Sequence, residues 1–427
     1  MMDISTRLKE DKIDYIQFQF TDLLGGFKEV EFPATIWEDM KEGTGIDGSS
    51  LGFLGTEQSD IKVLPDLSTY RVLPYNKRIA CFICDLFNNN GKPFDGSPRQ
   101  ILKRQLKKIA SLGYTFLVRP ELEWYFLTKD LNPADIGKYM DTPPMDEFHQ
   151  LRRIICDDLI EAKIPLKTIH HEVGPSQQEV EFVEKPALEQ ADNVQIAKML
   201  IKLRTHENNL IACFMPKPLE LEAGSGLHIH QYLMKDGRNV FADGENQVSD
   251  TLRYYIGGIQ KYINAISAIL NPLTNSYQRL IPNHEAPVFT SWGIGNRTTL
   301  IRVPGYEKSA RVEYRAGDAG MNIYLGFAIL LAAGIDGIKN KIEPNIPISN
   351  NSDNLTQAER DKLGIKQLPR TLKESLKAFD GNKLILKVLG EKTMKKYLSM
   401  KNEELVEYEK IKTPEDKLNW ELSRYLN

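Results

Sequence analysis

The sequence predicts an α+β protein of two domains, and three observations carry that prediction. Five long stretches have the apolar spacing of helices, several short ones alternate apolar and polar residues as strands do, and the two kinds follow no regular βαβ order. At 427 residues the chain also exceeds the length over which a single hydrophobic core keeps growing.

From the N-terminus, residues 13 to 20 (Ile-Asp-Tyr-Ile-Gln-Phe-Gln-Phe) alternate apolar and polar side chains. Thr21 to Gly26 then turns the chain into a second strand near Phe27 to Phe32, so a hairpin opens a small sheet. Another strand is expected from about Ile79 to Phe87, ended by Asn88-Asn-Asn-Gly91 and Asp95-Gly96. Ser97 as N-cap, Pro98 at the first helical position and Gln100 completing a capping box make a good helix start. The domain boundary is placed there, giving domains of residues 1–98 and 99–427. Helical periodicity then covers about 99–112, 146–162, 187–209, 249–270 and 322–340, with strands between. Residues 341–368 are polar and rich in Pro and Asn, which predicts an excursion over the surface, and short helices follow to Leu426.

Composition excludes several classes. Lys plus Arg number 55 against 58 Asp plus Glu, a net charge of −3, and no basic block is interleaved with aromatics, so nucleic acid is not an expected partner. No apolar run approaches the roughly 18 residues that span a bilayer, and no signal-peptide core precedes the first amphipathic stretch, so no membrane partner and a cytoplasmic location are expected. Cys81 and Cys84 have metal-site spacing but no second pair, and they lie in a continuous β-prone apolar run. They are read as buried strand cysteines, as are Cys156 and Cys213.

The chemistry lies in the strand-like segments. Glu121 and Glu123, Glu179 and Glu181, His228 and His230, and Arg311, Glu313 and Arg315 are spaced two apart, so each set shares one strand face. Leu122, Val180, Ile229 and Tyr314 then point the other way, into a core. Charges on an inward face are costly unless a ligand neutralises them, and an exposed acidic rim would not need an apolar residue at each intervening position. Carboxylates in excess with one or two histidines suit Mg2+ or Mn2+; zinc would favour Cys and His.

Two further features join them. In Leu221-Glu-Ala-Gly-Ser-Gly-Leu-His-Ile-His230, Gly224 and Gly226 let backbone approach a ligand closely, although Gly-Ser-Gly is also an ordinary turn. Arg279, Arg297, Arg302 and Arg315 lie in segments rich in Asn, Pro and Gly, and the guanidinium fork grips carboxylate or phosphate through paired hydrogen bonds. Divalent cations, phosphate-gripping arginines and carboxylates together point to phosphoryl transfer. The absence of a Gly-x-x-x-x-Gly-Lys-Ser/Thr loop argues against a P-loop ATPase.

A set of ordered motifs runs through the chain: Phe20-Thr-Asp-Leu-Leu-Gly25, Asp47-Gly-Ser-Ser50, Glu121-x-Glu123, His170-His-Glu-Val173 with Glu179, and Phe214-Met-Pro-Lys-Pro218. It continues through Gly224-Ser-Gly-x-His228, Asn271-Pro-x-x-Asn-Ser-Tyr-x-Arg-Leu280, Glu285-Ala-Pro287, Asn296-Arg297 and Arg311-Val-Glu-x-Arg315. By these the chain resembles the type I glutamine synthetases over essentially its whole length. The resemblance implies an N-terminal β-grasp domain, a catalytic domain with an antiparallel, open-barrel sheet flanked by helices, and two stacked hexameric rings with active sites between subunits. It implies ATP-dependent ligation of ammonia to the γ-carboxylate of L-glutamate through a γ-glutamyl phosphate, with two or three Mg2+ or Mn2+ per site and ATP as a substrate.

Carried over by motif, Glu123, Glu172 and Glu179 resemble ligands of the metal beside the acid substrate, while Glu121, His228 and Glu313 resemble ligands of the metal on the nucleotide phosphates. Arg297 and Arg302 match phosphate-binding arginines, and His230 lies at an ATP-side position. Arg279 and Arg315, with Gly224 and Glu123 beside them, match the glutamate site. Asp47, from the adjacent subunit, matches the base that deprotonates ammonium, and Glu285 matches a residue of the flap over the acyl phosphate.

The chain departs from the family pattern at Glu220-Leu-Glu-Ala223, where Ala223 replaces an Asn that contacts glutamate, and at Tyr232, Asn283-His284, Ala316-Gly-Asp318 and Asn322-Ile-Tyr-Leu325. Residues 361–369 lack the tyrosine that some members adenylylate, so that control is not expected. Two alternatives stand beside ammonia ligation: a γ-glutamyl ligase using another amine or a different acid, and a non-catalytic homologue that keeps only the assembly.

Overall fold

The alternating segments of the first 90 residues form a six-stranded sheet in the computed structural model, which describes residues 3–55, 59–243, 248–282, 284–305 and 309–426. Its strands are β1 (Tyr15–Thr21), β2 (Phe27–Pro33), β3 (Thr44–Asp47), β4 (Asp60–Pro65), β5 (Arg71–Leu73) and β6 (Asn76–Asn88), ordered β2-β1-β6-β4-β3 with β5 beside β6. The β1–β2 hairpin is antiparallel, and β1 runs parallel to β6 at the centre, a β-grasp arrangement. Strands β3 and β5, of four and three residues, are too short for alternation to register, whereas β4 does alternate, with Ile61 and Val63 buried between Asp60, Lys62 and Leu64, and escapes the sequence reading all the same. Cys81, Cys84, Cys156 and Cys213 are all free and buried, as expected.

The second sheet has ten strands: β7 (Tyr114–Leu127), β8 (Leu166–His171), β9 (Gln177–Phe182), β10 (Lys185–Pro186), β11 (Ile211–Cys213), β12 (Leu227–Lys235), β13 (Arg238–Asn239), β14 (Trp292–Ile294), β15 (Ile301–Val303) and β16 (Val312–Tyr314). They run in the order β14-β15-β16-β12-β7-β9-β8, antiparallel except for β14 with β15. Helices α1 (Ile4–Glu10) and α2 (Trp37–Met40) belong to the first part. The rest are α3 (Pro98–Ala110), α4 (His149–Glu161), α5 (Ala187–Glu207), α6 (Asp250–Leu270), α7 (Ser276–Arg279), α8 (Ile323–Asn340), α9 (Gln357–Leu363), α10 (Leu372–Phe379), α11 (Lys383–Leu389), α12 (Glu391–Lys410) and α13 (Pro414–Tyr425). The five predicted long helices begin and end within a few residues of the predicted limits, but the helices after residue 368 are not all short as expected, since α12 runs for 20 residues. Ser97 caps α3 by accepting from the Gln100 amide.

Two expectations need correction. Against the expectation of no apolar run of membrane-spanning length, α8 has both the length and the apolarity to qualify. It is 67% buried, packed along α6, and serves as a core helix, for which all-round apolarity is the rule. Residues 341–368 are also more than a surface excursion. Ile348 and Ile365 join Val288 and Phe289 in a small satellite core, the Ile348 amide donates to the Trp292 carbonyl, and Asn351 and Asp353 reach the main cavity. The isoleucines are too irregularly spaced to register as periodicity.

An ion network fastens the first sheet to the helices behind the second. Arg99 on α3 donates to Asp66, Asp85 and Asp192 at 2.9–3.0 Å, and the Tyr324 hydroxyl donates to Asp192 at 2.7 Å.

Candidate active site

Strand register gathers the charged residues into three rows. Arg302 (β15), Glu313 (β16), His230 (β12) and Arg119 (β7) stand opposite one another in succession. Two residues along, His228, Glu121, Glu181 and Thr168 make the second row, and Glu123, Glu179 and His170 the third. The residues between are fully or almost fully buried on the opposite face: Leu122, Val180, Ile229 and Tyr314. The spacing of two found the face, and antiparallel pairing turned that face of six strands into one surface.

The surface lines a cavity of about 880 Å3. Glu121, Glu123, Glu172, Glu179, Gly224, His228, His230, Arg279, Glu285, Arg297, Arg302 and Arg315 all border it. Glu313 lies just behind, with 1% exposure, its two oxygens accepting from Arg302 at 2.7 Å and Arg315 at 2.5 Å. Asp47 is exposed at the end of β3 and does not border this chain's cavity. Its carboxylate accepts from the Ser49 amide and the Ser49 and Ser50 hydroxyls at 2.6–2.9 Å, which hold its pKa well below the usual carboxylate range. Of the departures noted above, Asn283 lies outside the described residues.

Glu121, His228 and Glu313 place one ligand atom each within 4.8 Å of one another, and so do His170, Glu172 and Glu179. The first group is the predicted set. The second contains two of its three predicted members, with His170 beside them, while the Glu123 Oε2 accepts from the Gly226 amide at 2.7 Å and Gln177 at 3.2 Å. Burial, then the charges of Glu123, Glu121 and Glu172, push the Glu179 carboxyl up to about 10. Burial would also raise Glu121, but hydrogen bonds from His228 and His230 outweigh it and hold that carboxyl low. For Glu313, the charges of His230 and Arg315 overcome burial and bring it to about 2. Crowded carboxylates with few histidines fit a hard divalent cation, whose charge relieves the repulsion that burdens Glu179.

Arg279, 3% exposed, is aimed by three backbone carbonyls: Ala316 at 2.8 Å, Gly317 at 3.2 Å and Arg315 at 3.2 Å. Glycine is required beside it, because a Cβ on Gly224 would lie 2.6 Å from Arg279 Cγ, and one on Gly226 2.6 Å from its Nη2. His230 is fixed from both sides, with Nδ1 accepting from Arg311 at 3.1 Å and Nε2 donating to Glu121 at 2.6 Å. Glu285 sits at φ +62° where the Ala286 amide bonds the His284 carbonyl, a strained turn that holds its side chain at the cavity rim.

Sequence reasoning missed Arg119, Gln177 and Tyr139 as cavity residues. Arg119 pairs with Glu181 at 2.8 Å, and Gln177 bonds Glu123 and the Gly224 carbonyl. Both sit two residues before a recognised acidic pair, so extending the alternation one step would have found them. Tyr139 packs edge-on against His170 from a loop, where no periodicity exists to reveal it.

A family model for the glutamine synthetase β-grasp domain matches residues 12–89, and one for the glutamine synthetase catalytic domain matches residues 95–425. Fold and site together define an ATP-dependent carbon–nitrogen ligase that uses divalent metal. The chain is 40% identical over 433 residues to a glutamine synthetase of Thermotoga maritima, covering 98% of each chain, and 40% identical over 439 residues to one of Methanosarcina mazei, covering 100% and 97%. It therefore belongs to the glutamine synthetase family. Two solved structures, "GmaS/ADP complex-Conformation 1" and "Apo GmaS without ligand", superpose with TM-scores of 0.90 and 0.89 at 27% identity, covering 99% and 100% of this chain and the same shares of theirs.

Proposed function

We propose that the protein joins ammonia to the γ-carboxylate of L-glutamate, using ATP and passing through γ-glutamyl phosphate. The observation that carries the reading is the convergence on one cavity of three carboxylate–histidine clusters, two of them sharing Glu121, with Arg279, Arg315, Arg297 and Arg302. The ADP complex of the structurally similar GmaS supports the nucleotide assignment.

In this reading Arg279 and Arg315 hold the carboxylates of glutamate, and Arg297 and Arg302 face the transferring phosphoryl group. Glu123, Glu172 and Glu179 would hold one Mg2+ or Mn2+ and Glu121, His228 and Glu313 another, neutralising charge on the carboxylate and phosphate oxygens. Fixed cations cost no reorganisation as charge develops, which is where most of the acceleration in phosphoryl transfer arises. Asp47 of a neighbouring subunit takes a proton from ammonium, freeing the lone pair that attacks the acyl carbon and expels phosphate. A carboxylate kept ionised by three serine hydrogen bonds remains available as that acceptor. Glu285 closes over the acyl phosphate and keeps water out. The assembly is two stacked hexameric rings, which bring Asp47 to the next subunit's cavity.

A second reading, γ-glutamyl ligation to another amine or use of a different acid, is favoured by Ala223. It offers no polar side chain beside Gly224, and its carbonyl is already taken by the Tyr125 hydroxyl at 2.6 Å. Phosphate release with glutamate plus ammonia, methylamine, ethanolamine or a polyamine separates the two. Turnover with ammonia above the ATP-only background is expected; none with ammonia, but turnover with another amine, selects the second reading.

A further inference from the structure

Behind the cavity wall that aims Arg279, the C-terminal helix presses a carboxylate against the segment carrying that arginine. Glu421 on α13 has 0% exposure. No cation pairs with it among the described residues; Thr274 Oγ1 donates to it at 2.7 Å, Asn275 Nδ2 at 2.9 Å and Gln278 Nε2 at 2.9 Å. A carboxylate buried among neutral donors is costly, and an apolar side chain would pack α13 at less expense. What the carboxylate adds is direction.

The direction is passed on along two routes. Gln278 immediately precedes Arg279 at the end of α7. Asn275 clamps Lys217 on both sides, its Oδ1 accepting from the Lys217 amide at 2.7 Å and its Nδ2 donating to the Lys217 carbonyl at 3.1 Å. The Pro216 carbonyl in turn receives the Ser225 amide at 2.8 Å, closing the loop that presents Gly224 to the cavity. Leu422, Tyr425 and Leu426 pack on Tyr125 and Met215 beneath the same loop.

We propose that Glu421 is a positioning residue for the acid-binding half of the site, fixing residues 274–279 and, through Asn275, the 214–226 loop. The proposal rests on the reading of the Arg279 side as the acid site. Neither Glu421 nor any residue it bonds borders the cavity, so its influence on substrate is wholly indirect.

The test uses the full-length protein with Glu421→Ala and Glu421→Gln, the second of which keeps the shape but turns an amide NH2 toward donors. Hydrogen exchange over residues 213–219 is expected to quicken about tenfold in Glu421→Ala, as for the loss of one buried hydrogen-bond network. KM for glutamate is expected to rise about tenfold or more while KM for ATP stays within about twofold, with Glu421→Gln between the wild type and Glu421→Ala. Unchanged exchange overturns the proposal, and so does faster exchange with an unaltered KM for glutamate. A parallel rise of both KM values with a fall in Tm also overturns it, because that is destabilisation alone. If the unaltered protein turns over glutamate with no amine, the functional reading fails, and the exchange comparison still decides whether Glu421 anchors the loop.

Discussion

Gly226 decides how closely Arg279 can lie to Glu123 and His228. A Cβ there would sit 2.6 Å from Arg279 Nη2, 3.0 Å from His228 Nε2 and 3.1 Å from Glu123 Oε1. The end of an arginine can usually swing aside, but this one is locked by three carbonyls. Gly226→Ala is therefore expected to lower kcat/KM about 100-fold, measured by phosphate release, because an ångström of misplacement at a reacting group has that effect. Glu313 bridges Arg302 and Arg315 while contributing an oxygen to a metal-ligand group. Glu313→Gln keeps the volume and loses the charge, so Mn2+ affinity, read by electron paramagnetic resonance, is expected to fall about 10–100-fold. At this scale the sequence was informative wherever strand alternation exposed a face: Glu121, Glu179, His228 and Glu313 were all legible. It was silent on Tyr139, in a loop, and it did not pick out His170 as a site residue although the motif holds it beside Glu172; only the pairing of β8 with β9 sets it opposite Glu179.

Between elements, Arg99 makes a buried tie to three partners, all aspartates, two on the first sheet's side and one on α5. Arg99→Met leaves those carboxylates without their counter-charge and is expected to cost about 3–5 kcal/mol in urea unfolding. Among them, burial raises Asp66, but the Ser68 hydrogen bond and Arg99 outweigh it and bring the carboxyl to about 2. Because that lies below the unfolded value of about 3.9, the stabilisation is complete above roughly pH 4 and is lost as pH falls through about 2. Asp66→Asn should flatten the pH dependence of the urea midpoint in that window; an unchanged slope would count against the tie. Helix limits were legible because capping and periodicity are local, as at Ser97 and Pro98. Strands β3 and β5 were not, since three or four residues carry too little pattern, while the alternation in β4 was there to read; the apolarity of α8 was legible too, since its composition alone announces a buried helix.

For the whole molecule, the placement of Asp47 outside its own cavity makes a sharp prediction. If each site borrows Asp47 from a neighbour, co-assembled Asp47→Asn and Glu313→Gln subunits, each inactive alone, should recover about one quarter of wild-type activity, since a random half of each contribution is intact. A site complete within one chain recovers none. Sequence by itself determined the α+β class, the limits of the long helices, the inward face of each charged strand and the resemblance to one family, because these depend on local periodicity and on ordered motifs. Only the tertiary structure decided which faces stand opposite one another, that Glu181 pairs with Arg119 and Lys167, that Arg311 holds His230, and that the C-terminal helix braces the arginine segment. Such contacts join residues tens to hundreds of positions apart, and strand register and helix packing create them; no spacing along the chain encodes them.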